Sequence, residues 1–181
     1  SLVSKKSNDE SVNFALKSLK ISINSYTSFL EEPNFKNASE MSIASNLAGK
    51  AINISKTTAP HATSYPFTSL FNISHGHAVA LFFENFFKFN FINANKSETS
   101  FDLKKRYNLI FDIFRVKNIE DFNRNISIIK KKANLEDDLN KLNINIQKNS
   151  EKIIGGINLL RLGNNPIKIN GENIYKIICK K

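Results

Sequence analysis

The feature that most constrains the fold is a helix-length segment, residues 78–89, whose apolar side chains point in nearly every direction around the helix axis. Its large apolar residues are Val79, Leu81, Phe82, Phe83, Phe86, Phe87 and Phe89. A helix that is apolar almost all the way round is buried by other elements. The same segment carries Glu84 and Lys88 and is too short and too polar to span a bilayer. We therefore expect a protein that folds around this helix and has no membrane span.

Amphipathic helical patterns fill most of the remaining chain and can supply that cover. The first predicted helix follows an S-x-x-E capping box formed by Ser7 and Glu10 and ends before Pro33. Further helices are predicted over residues 40–54 (with Ser39 as the N-cap), 60–70, 75–89, 102–114, 119–132, 136–142, 150–161 and 172–179. No convincing strand pattern, repeat or low-complexity linker is found. The prediction is one all-α helical bundle domain that covers residues 1–181.

The formal charge of +10 is carried mostly by lysine, which weakens a nucleic-acid interpretation. Among the 26 basic residues the arginines are only Arg106, Arg115, Arg124 and Arg161. Surfaces that bind nucleic acid usually recruit arginine for bidentate contacts to phosphate and guanine. The excess of lysine and asparagine instead indicates the codon bias of an AT-rich genome, and the lysine run at residues 130–132 is typical of a solvated helix end. We therefore do not expect nucleic acid as a partner.

Cys179, near the C-terminus, is the single cysteine and excludes a disulfide framework within the chain. No signal-peptide pattern is visible. A single free thiol is typical of a reducing compartment. We therefore expect a soluble, cytoplasmic protein.

All three histidines lie in residues 56–90, and two of them have a spacing that suits a metal site. His61 is predicted in the first turn of one helix, and His75 follows 14 positions later, just before the next helix. Two such helices can fold back and place both imidazoles on one ion, at a Zn–N or Fe–N distance of about 2.0–2.1 Å. Spacing alone leaves a second interpretation open, because an isolated histidine is more often a packed or capping residue than a ligand.

The histidines lie among short strings that follow one another in a definite order. These strings are SNLAGKAI at residues 45–52, PHA at residues 60–62 and ISHGHA at residues 73–78. This order resembles the iron-containing alcohol dehydrogenase family, in which an A-G-x-A-type helix leads to a His-Ala segment and the chain returns as P-H-G at the start of an apolar helix. The interval from His61 to His75 matches that between the family's last two metal ligands. The strings SNDES at residues 7–11 and RLGNNP at residues 161–166 extend the resemblance over about residues 1–178.

The resemblance implies a fold, a metal site and an activity. The fold would be the helical C-terminal domain of a dehydroquinate-synthase-like enzyme, with His61 and His75 as ligands of Fe²⁺ or Zn²⁺. The enzyme would be an NAD(P)-dependent alcohol dehydrogenase or aldehyde reductase, whose metal polarises the substrate oxygen for hydride transfer. Its partners would be a small alcohol or aldehyde and its own N-terminal domain, and a homo-oligomer is compatible with the pattern.

The wording TTAPHATSYP at residues 57–66 is nearest to a branch of the family that includes phosphonoacetaldehyde reductases. The family's second histidine, four positions after His61, is Tyr65 here. The resemblance implies that Tyr65 lies near the nicotinamide and substrate as a hydrogen-bond donor, and the alternative is an aromatic packing residue. His77 faces about 200° round the helix from His75. We therefore expect His77 to support the site or the helix start rather than to bind the same ion.

Parts of the family's site have no counterpart in this sequence. The family binds NAD(P)H mainly in an N-terminal domain with a glycine-rich turn, whereas the glycine pair at residues 155–156 follows no strand pattern. The family's other ligands, an Asp and usually a His four residues later, correspond to positions just ahead of Ser1. Two imidazoles alone leave a metal under-coordinated. We therefore expect the C-terminal domain of a larger enzyme, inactive when isolated.

One function of a different class stays open beside the enzyme. In that alternative the chain is a non-catalytic helical binding or assembly module that keeps the fold and has lost catalysis. The sequence does not decide the native metal, the substrate, the choice between NADH and NADPH, or the oligomeric state.

Overall fold

The computed structural model describes residues 1–179, which fold as the predicted all-α protein. The helices are α1 (Asp9–Glu31), α2 (Phe35–Ser55), α3 (Ala59–Phe71), α4 (His75–Ile92), α5 (Leu103–Phe114), α6 (Ile119–Lys132), α7 (Ser150–Gly155), α8 (Leu159–Leu162) and α9 (Gly171–Ile178), with a 3₁₀ turn at Ala94–Lys96. Residues 1–179 contain no β-strand. None of the helices in that part of the chain is long and apolar enough to cross a membrane.

The other helices pack around α4, as its apolar circumference predicts. One core cluster joins α4 to α3, α7 and α9 and contains Phe67, Phe82, Phe86, Ile153, Ile174 and Ile178. A second joins α4 to α1, α5 and α6 and contains Val12, Phe87, Tyr107, Phe111 and Phe122. Full burial of one such apolar side chain contributes about 1.5–3 kcal/mol. Because α4 contributes to both clusters, it holds the two halves of the molecule together.

Asparagine rather than serine begins α1. The Asn8 side chain accepts a hydrogen bond from the Ser11 N–H, and the Ser11 hydroxyl accepts one from the Asn8 N–H, both at 2.9 Å. The predicted capping box of Ser7 and Glu10 is therefore wrong. Asparagine and serine are comparable N-cap residues, so the local sequence does not choose between these two adjacent starts.

The start of α2 is also earlier than predicted. Asn34 and Asn37 form the same reciprocal capping box, and the helix begins at Phe35 rather than Glu40. The predicted N-cap, Ser39, lies inside the helix. An additional helical turn therefore precedes the predicted start.

Residues 133–149 form turns and irregular structure, so the predicted 136–142 helix is wrong. Acidic side chains take the backbone donors of this segment. Glu136 Oε1 accepts from the N–H groups of Asp137 and Asp138, and Asp138 Oδ1 accepts from the N–H of Asn140. Such local hydrogen bonds compete with those of a helix.

Lys130 anchors this irregular segment and is not part of a solvated lysine run. Its ammonium nitrogen lies 2.7 Å from Glu84 Oε1 and 2.7 Å from Asp137 Oδ2, and its side chain is only 6% exposed. Burial of a lysine is costly unless the charge is paired, and the two carboxylates provide that pairing. The end of α6 therefore fastens the irregular segment to α4.

The α3 helix continues through Pro66 because a distant segment satisfies the carbonyl group that proline leaves free. Proline has no N–H, so the carbonyl of Ala62, four residues earlier, loses its helical partner. The N–H of Asn158 donates to that carbonyl at 3.2 Å. Beside it, a Cβ added to Gly156 would lie 2.9 Å from the Pro66 Cβ, so this close approach requires glycine. The predicted 150–161 helix is interrupted here into α7 and α8.

Candidate metal centre

The two predicted ligands lie at the starts of successive helices. His61 occupies the first turn of α3, and His75 is the first residue of α4. Asn72, at the end of α3, adopts a left-handed conformation with φ 54°, which asparagine tolerates better than most residues. The connection at residues 72–74 brings His75 back beside the first half of α3, where it contacts Ser64 and Tyr65.

The structure brings the two imidazoles together. His61 Nδ1 and His75 Nε2 are 3.2 Å apart, and the ring centroids are 5.3 Å apart at an interplanar angle of 48°. Two ligands of one tetrahedral ion at about 2.0–2.1 Å lie roughly 3.3 Å from each other. The separation therefore fits two ligands of a single metal ion. Without an ion between the rings, one imidazole N–H can donate to the other ring.

The surroundings keep His61 neutral. Burial lowers its pKa to about 4, and the positive charges of His75, the Ser1 amino group and Arg161 act in the same direction. Desolvation and like charges both disfavour a protonated imidazole. At neutral pH the His61 ring therefore retains a free lone pair, which a metal ligand needs.

Ser64 fixes which nitrogen of His75 carries the proton. The buried Ser64 hydroxyl donates to the His61 carbonyl at 2.8 Å, and Ser64 Oγ lies 3.2 Å from His75 Nδ1. Because its proton is used on the carbonyl, Ser64 Oγ accepts from a His75 Nδ1–H. The Nε2 lone pair of His75 then faces His61. Sequence reasoning did not single out Ser64, although its position three residues after His61 was an available signal.

Tyr65 and Arg161 form the adjoining edge of the site. The Tyr65 ring centroid lies 5.6 Å from that of His75. On Tyr65 also lies Arg161, whose guanidinium carbon is 5.5 Å from the ring centroid and whose Nη1 donates to Thr57 Oγ1 at 2.8 Å. Arg161 was recognised in the sequence only as part of the RLGNNP string.

His77 points away from the histidine pair. Its Nε2 lies 2.7 Å from the carbonyl oxygen of Glu136, which joins α4 to the irregular segment after α6. An imidazole N–H is the only donor that this contact can use. His77 therefore makes a hydrogen bond at the helix start, on a different side from His75.

A mostly apolar cavity of about 350 Å³ opens beside His61. Its walls come from α1, α2, α4, α5 and α6 and include Leu19, Ile52, Phe83, Phe87, Phe114 and Phe122. The side chains that line it include Thr57 but no lysine, arginine, aspartate or glutamate. The cationic side chain that contacts the site is therefore Arg161, on the Tyr65 side.

The histidine pair is only part of a metal site. Within residues 1–179, no group of three or more histidine, cysteine, aspartate or glutamate side chains is arranged to hold a metal ion. Catalytic zinc sites use three protein ligands and keep an open position. The donor set therefore fits two ligands of an ion whose other ligands come from elsewhere.

Comparison with known proteins places this architecture in context. A sequence profile described as "Fe-containing alcohol dehydrogenase family, C-terminal" matches residues 1–181. No curated protein matches the chain. Among solved structures, the chain superposes on an archaeal halo-thermophilic Red Sea brine pool alcohol dehydrogenase with a TM-score of 0.87 at 20% identity, covering 99% of this chain and 46% of that chain.

Two further structures extend the comparison. A sulfoacetaldehyde reductase from Bifidobacterium kashiwanohense, in complex with NAD+, gives a TM-score of 0.83 at 22% identity, covering 98% of this chain and 45% of that chain. An alcohol dehydrogenase from Oenococcus oeni gives a TM-score of 0.80 at 18% identity, covering 99% and 47%. At these identities the likeness shows the fold. The chain spans a little under half of the length of each of these proteins.

Proposed function

This chain belongs to the Fe-containing alcohol dehydrogenase family, and from that premise we propose that it is the metal-binding C-terminal domain of an NAD(P)-dependent alcohol dehydrogenase or aldehyde reductase. In this proposal His61 and His75 are two of the metal ligands. The observation that carries it is the 3.2 Å separation between His61 Nδ1 and His75 Nε2. Imidazole nitrogen suits both Fe²⁺ and Zn²⁺, so the proposal covers either ion.

The residues of this chain hold and orient the reacting groups. When bound, the metal polarises the oxygen of an aldehyde, or lowers the pKa of the corresponding alcohol, as hydride passes between the substrate carbon and the nicotinamide. His61 remains neutral, and Ser64 keeps the proton of His75 on Nδ1, so that both lone pairs face one point. Tyr65 lies beside His75, where its phenolic hydroxyl can donate a hydrogen bond to the substrate or the nicotinamide.

The remaining parts of the site are assigned to the rest of a longer protein. We propose that NAD(P)H is bound mainly by an N-terminal domain, and that an aspartate and a histidine just ahead of Ser1 complete the metal site. The coverage of 45–47% of the structurally similar enzymes is consistent with this arrangement. The exposed and unpaired Cys179 supports a proposed cytoplasmic location, since free thiols persist in reducing compartments.

The isolated 181-residue chain is expected to show no NAD(P)H-dependent aldehyde reduction. It lacks the proposed nucleotide domain, and two imidazoles bind a metal poorly. The measurement is NADH or NADPH oxidation with a panel of short aldehydes and added Fe²⁺ or Zn²⁺, beside the full-length protein at equal molar concentration. Turnover by the isolated chain above the protein-free rate contradicts the proposed division of the site.

Replacement of Ser64 by alanine is expected to weaken metal binding by the full-length protein about 10-fold or more, in line with other residues that orient metal-bound histidines. The change removes the acceptor that holds the His75 Nδ1 proton. The measurement is competition of bound Co²⁺ with a chelator, followed by the visible absorption of the ion.

The matched control for this variant is Ser69→Ala. Ser69 lies in the same helix and its hydroxyl also bonds the carbonyl three residues earlier, that of Pro66, yet it is not a partner of His75. If Ser64→Ala and Ser69→Ala release Co²⁺ alike, Ser64 has no orienting role.

A further inference from the structure

The Arg161 guanidinium is held in place with most of its donors unused. Its plane is supported by the Tyr65 ring at 5.5 Å, and one nitrogen donates to Thr57 Oγ1 at 2.8 Å. A guanidinium has five N–H donors in a rigid fork. Within residues 1–179 no carboxylate lies within salt-bridge distance of Arg161, whereas Arg124 pairs with Asp121 at 3.0 Å. The fork is therefore oriented but is not neutralised by an acidic side chain of this part of the chain.

The position of this charge is unfavourable unless an anion joins it. Tyr65 contacts the His75 ring on one side and the Arg161 guanidinium on another, so the cation stands at the edge of the histidine pair. Its field reaches that pair, since it contributes to the lowered pKa of His61. A metal cation bound by the histidines would add to the repulsion. A negatively charged group placed between the two cations removes this cost and gains charge-assisted hydrogen bonds.

We propose that Arg161 binds an anionic group of the substrate, so that the preferred aldehydes are short molecules with a phosphonate, sulfonate or carboxylate at the end opposite the carbonyl. This inference rests on the proposed function, because it requires the carbonyl oxygen to lie near His61 and His75. The planar fork matches the oxygens of such groups bidentately. Support from Tyr65 and Thr57 fixes the fork before the substrate arrives, which reduces the entropy lost on binding.

The test compares anionic and neutral aldehydes in the metal-loaded full-length protein. Initial rates are measured with sulfoacetaldehyde, phosphonoacetaldehyde, glyoxylate and propanal for the wild type, Arg161→Gln and Arg161→Lys. We expect Arg161→Gln to lower the ratio of kcat/KM for the anionic aldehydes to that for propanal by about 10- to 100-fold, as loss of hydrogen bonds to a charged group predicts. Arg161→Lys should lie between the two, because it keeps the charge and loses the fork. Separate tests of the three anions distinguish tetrahedral from planar acidic groups.

Arg106→Gln is the matched control. Arg106 also packs over an aromatic ring, that of Phe101 at 4.8 Å, but it belongs to α5 and is not a neighbour of the histidines. It is expected to leave the specificity ratio unchanged. An equal ratio in Arg161→Gln and the wild type overturns the inference, as does a wild type that reduces propanal and none of the anionic aldehydes; in both cases the proposed function stands.

A binding measurement decides the case in which no aldehyde is reduced, which would count against the proposed function itself. Calorimetric titration with methylphosphonate then compares the wild type with Arg161→Gln. Binding that is weakened at least about 10-fold in the variant supports an anion site at Arg161. Absence of binding to the wild type, or equal binding to both proteins, overturns it.

Discussion

Replacement of both His61 and His75 by alanine is expected to abolish metal binding by the full-length protein and to lower its aldehyde reductase activity at least about 10³-fold. A Lewis-acidic metal contributes several kcal/mol to stabilisation of charge on the substrate oxygen, and each 1.4 kcal/mol is a factor of ten in rate. Loss of two ligands leaves too few donors to retain the ion. The measurements are metal content by elemental analysis and NAD(P)H oxidation on the same preparations.

The isolated chain provides a second readout for the same pair of residues. It is expected to bind Zn²⁺ with a dissociation constant of roughly micromolar or weaker, and the double variant is expected to lose that binding. Such a result indicates a half-built site that awaits its other ligands. This readout needs neither substrate nor nucleotide, so it tests the ligands apart from the activity.

His77→Ala is the matched control for the double variant. His77 lies in the first turn of α4, as His75 does, but it bonds the carbonyl of Glu136. It is therefore expected to retain the metal. Unchanged metal content and affinity in the His61→Ala/His75→Ala protein, with far-UV circular dichroism like that of the wild type, would show that these histidines are structural. The non-catalytic binding or assembly module would then be the better account of the chain.

The sequence was most informative where one local pattern determines the structure. The apolar circumference of residues 78–89 predicts a buried central helix, and α4 contributes to both core clusters. The pattern over residues 119–132 gives the bounds of α6. Amphipathic periodicity is strong in such segments because burial of an apolar face decides where the helix forms.

The sequence was least informative where side chains compete locally or where distant segments meet. Serine and asparagine at positions 7 and 8 are both good caps, and only the packed structure selects the second. Pro66 remains inside α3 because the N–H of Asn158, far along the chain, satisfies the carbonyl of Ala62. The contacts of Ser64 and Arg161 depend on how residues 72–74 fold back and where α8 packs. No local pattern of the chain carries that information.

The last large effect is expected at Asn165, in the RLGNNP string. Asn165 is 1% exposed, and its amide donates to Asn90 Oδ1 and to the Ile167 carbonyl, both at 2.8 Å. In return, its Oδ1 accepts from the Asn90 amide at 3.1 Å and from the Ala59 N–H at 3.4 Å. One side chain therefore ties the C-terminal segment to the middle of α4 and to the start of α3.

Asn165→Leu is expected to lower the free energy of unfolding of the chain by about 3 kcal/mol, because it leaves several buried polar groups unpaired at about 1–3 kcal/mol each. At this chain length the melting temperature should fall by roughly 6–12 °C. The measurement is thermal and urea unfolding followed by circular dichroism. The control is Asn95→Ala at an exposed position, which is expected to change stability by less than about 0.5 kcal/mol.

A double-mutant cycle separates the Asn90–Asn165 pair from the rest of the core. Replacement of both residues by leucine is expected to cost less than the sum of the single changes, because the double variant leaves neither amide without its partner. Additive costs would contradict this account. The cycle also bears on the metal centre: the Ala59 N–H that Asn165 accepts lies in the turn that positions His61. Loss of Asn165 should therefore weaken metal binding in folded protein as well, which ties the RLGNNP string to the histidine pair through a hydrogen bond rather than through direct contact with the ion.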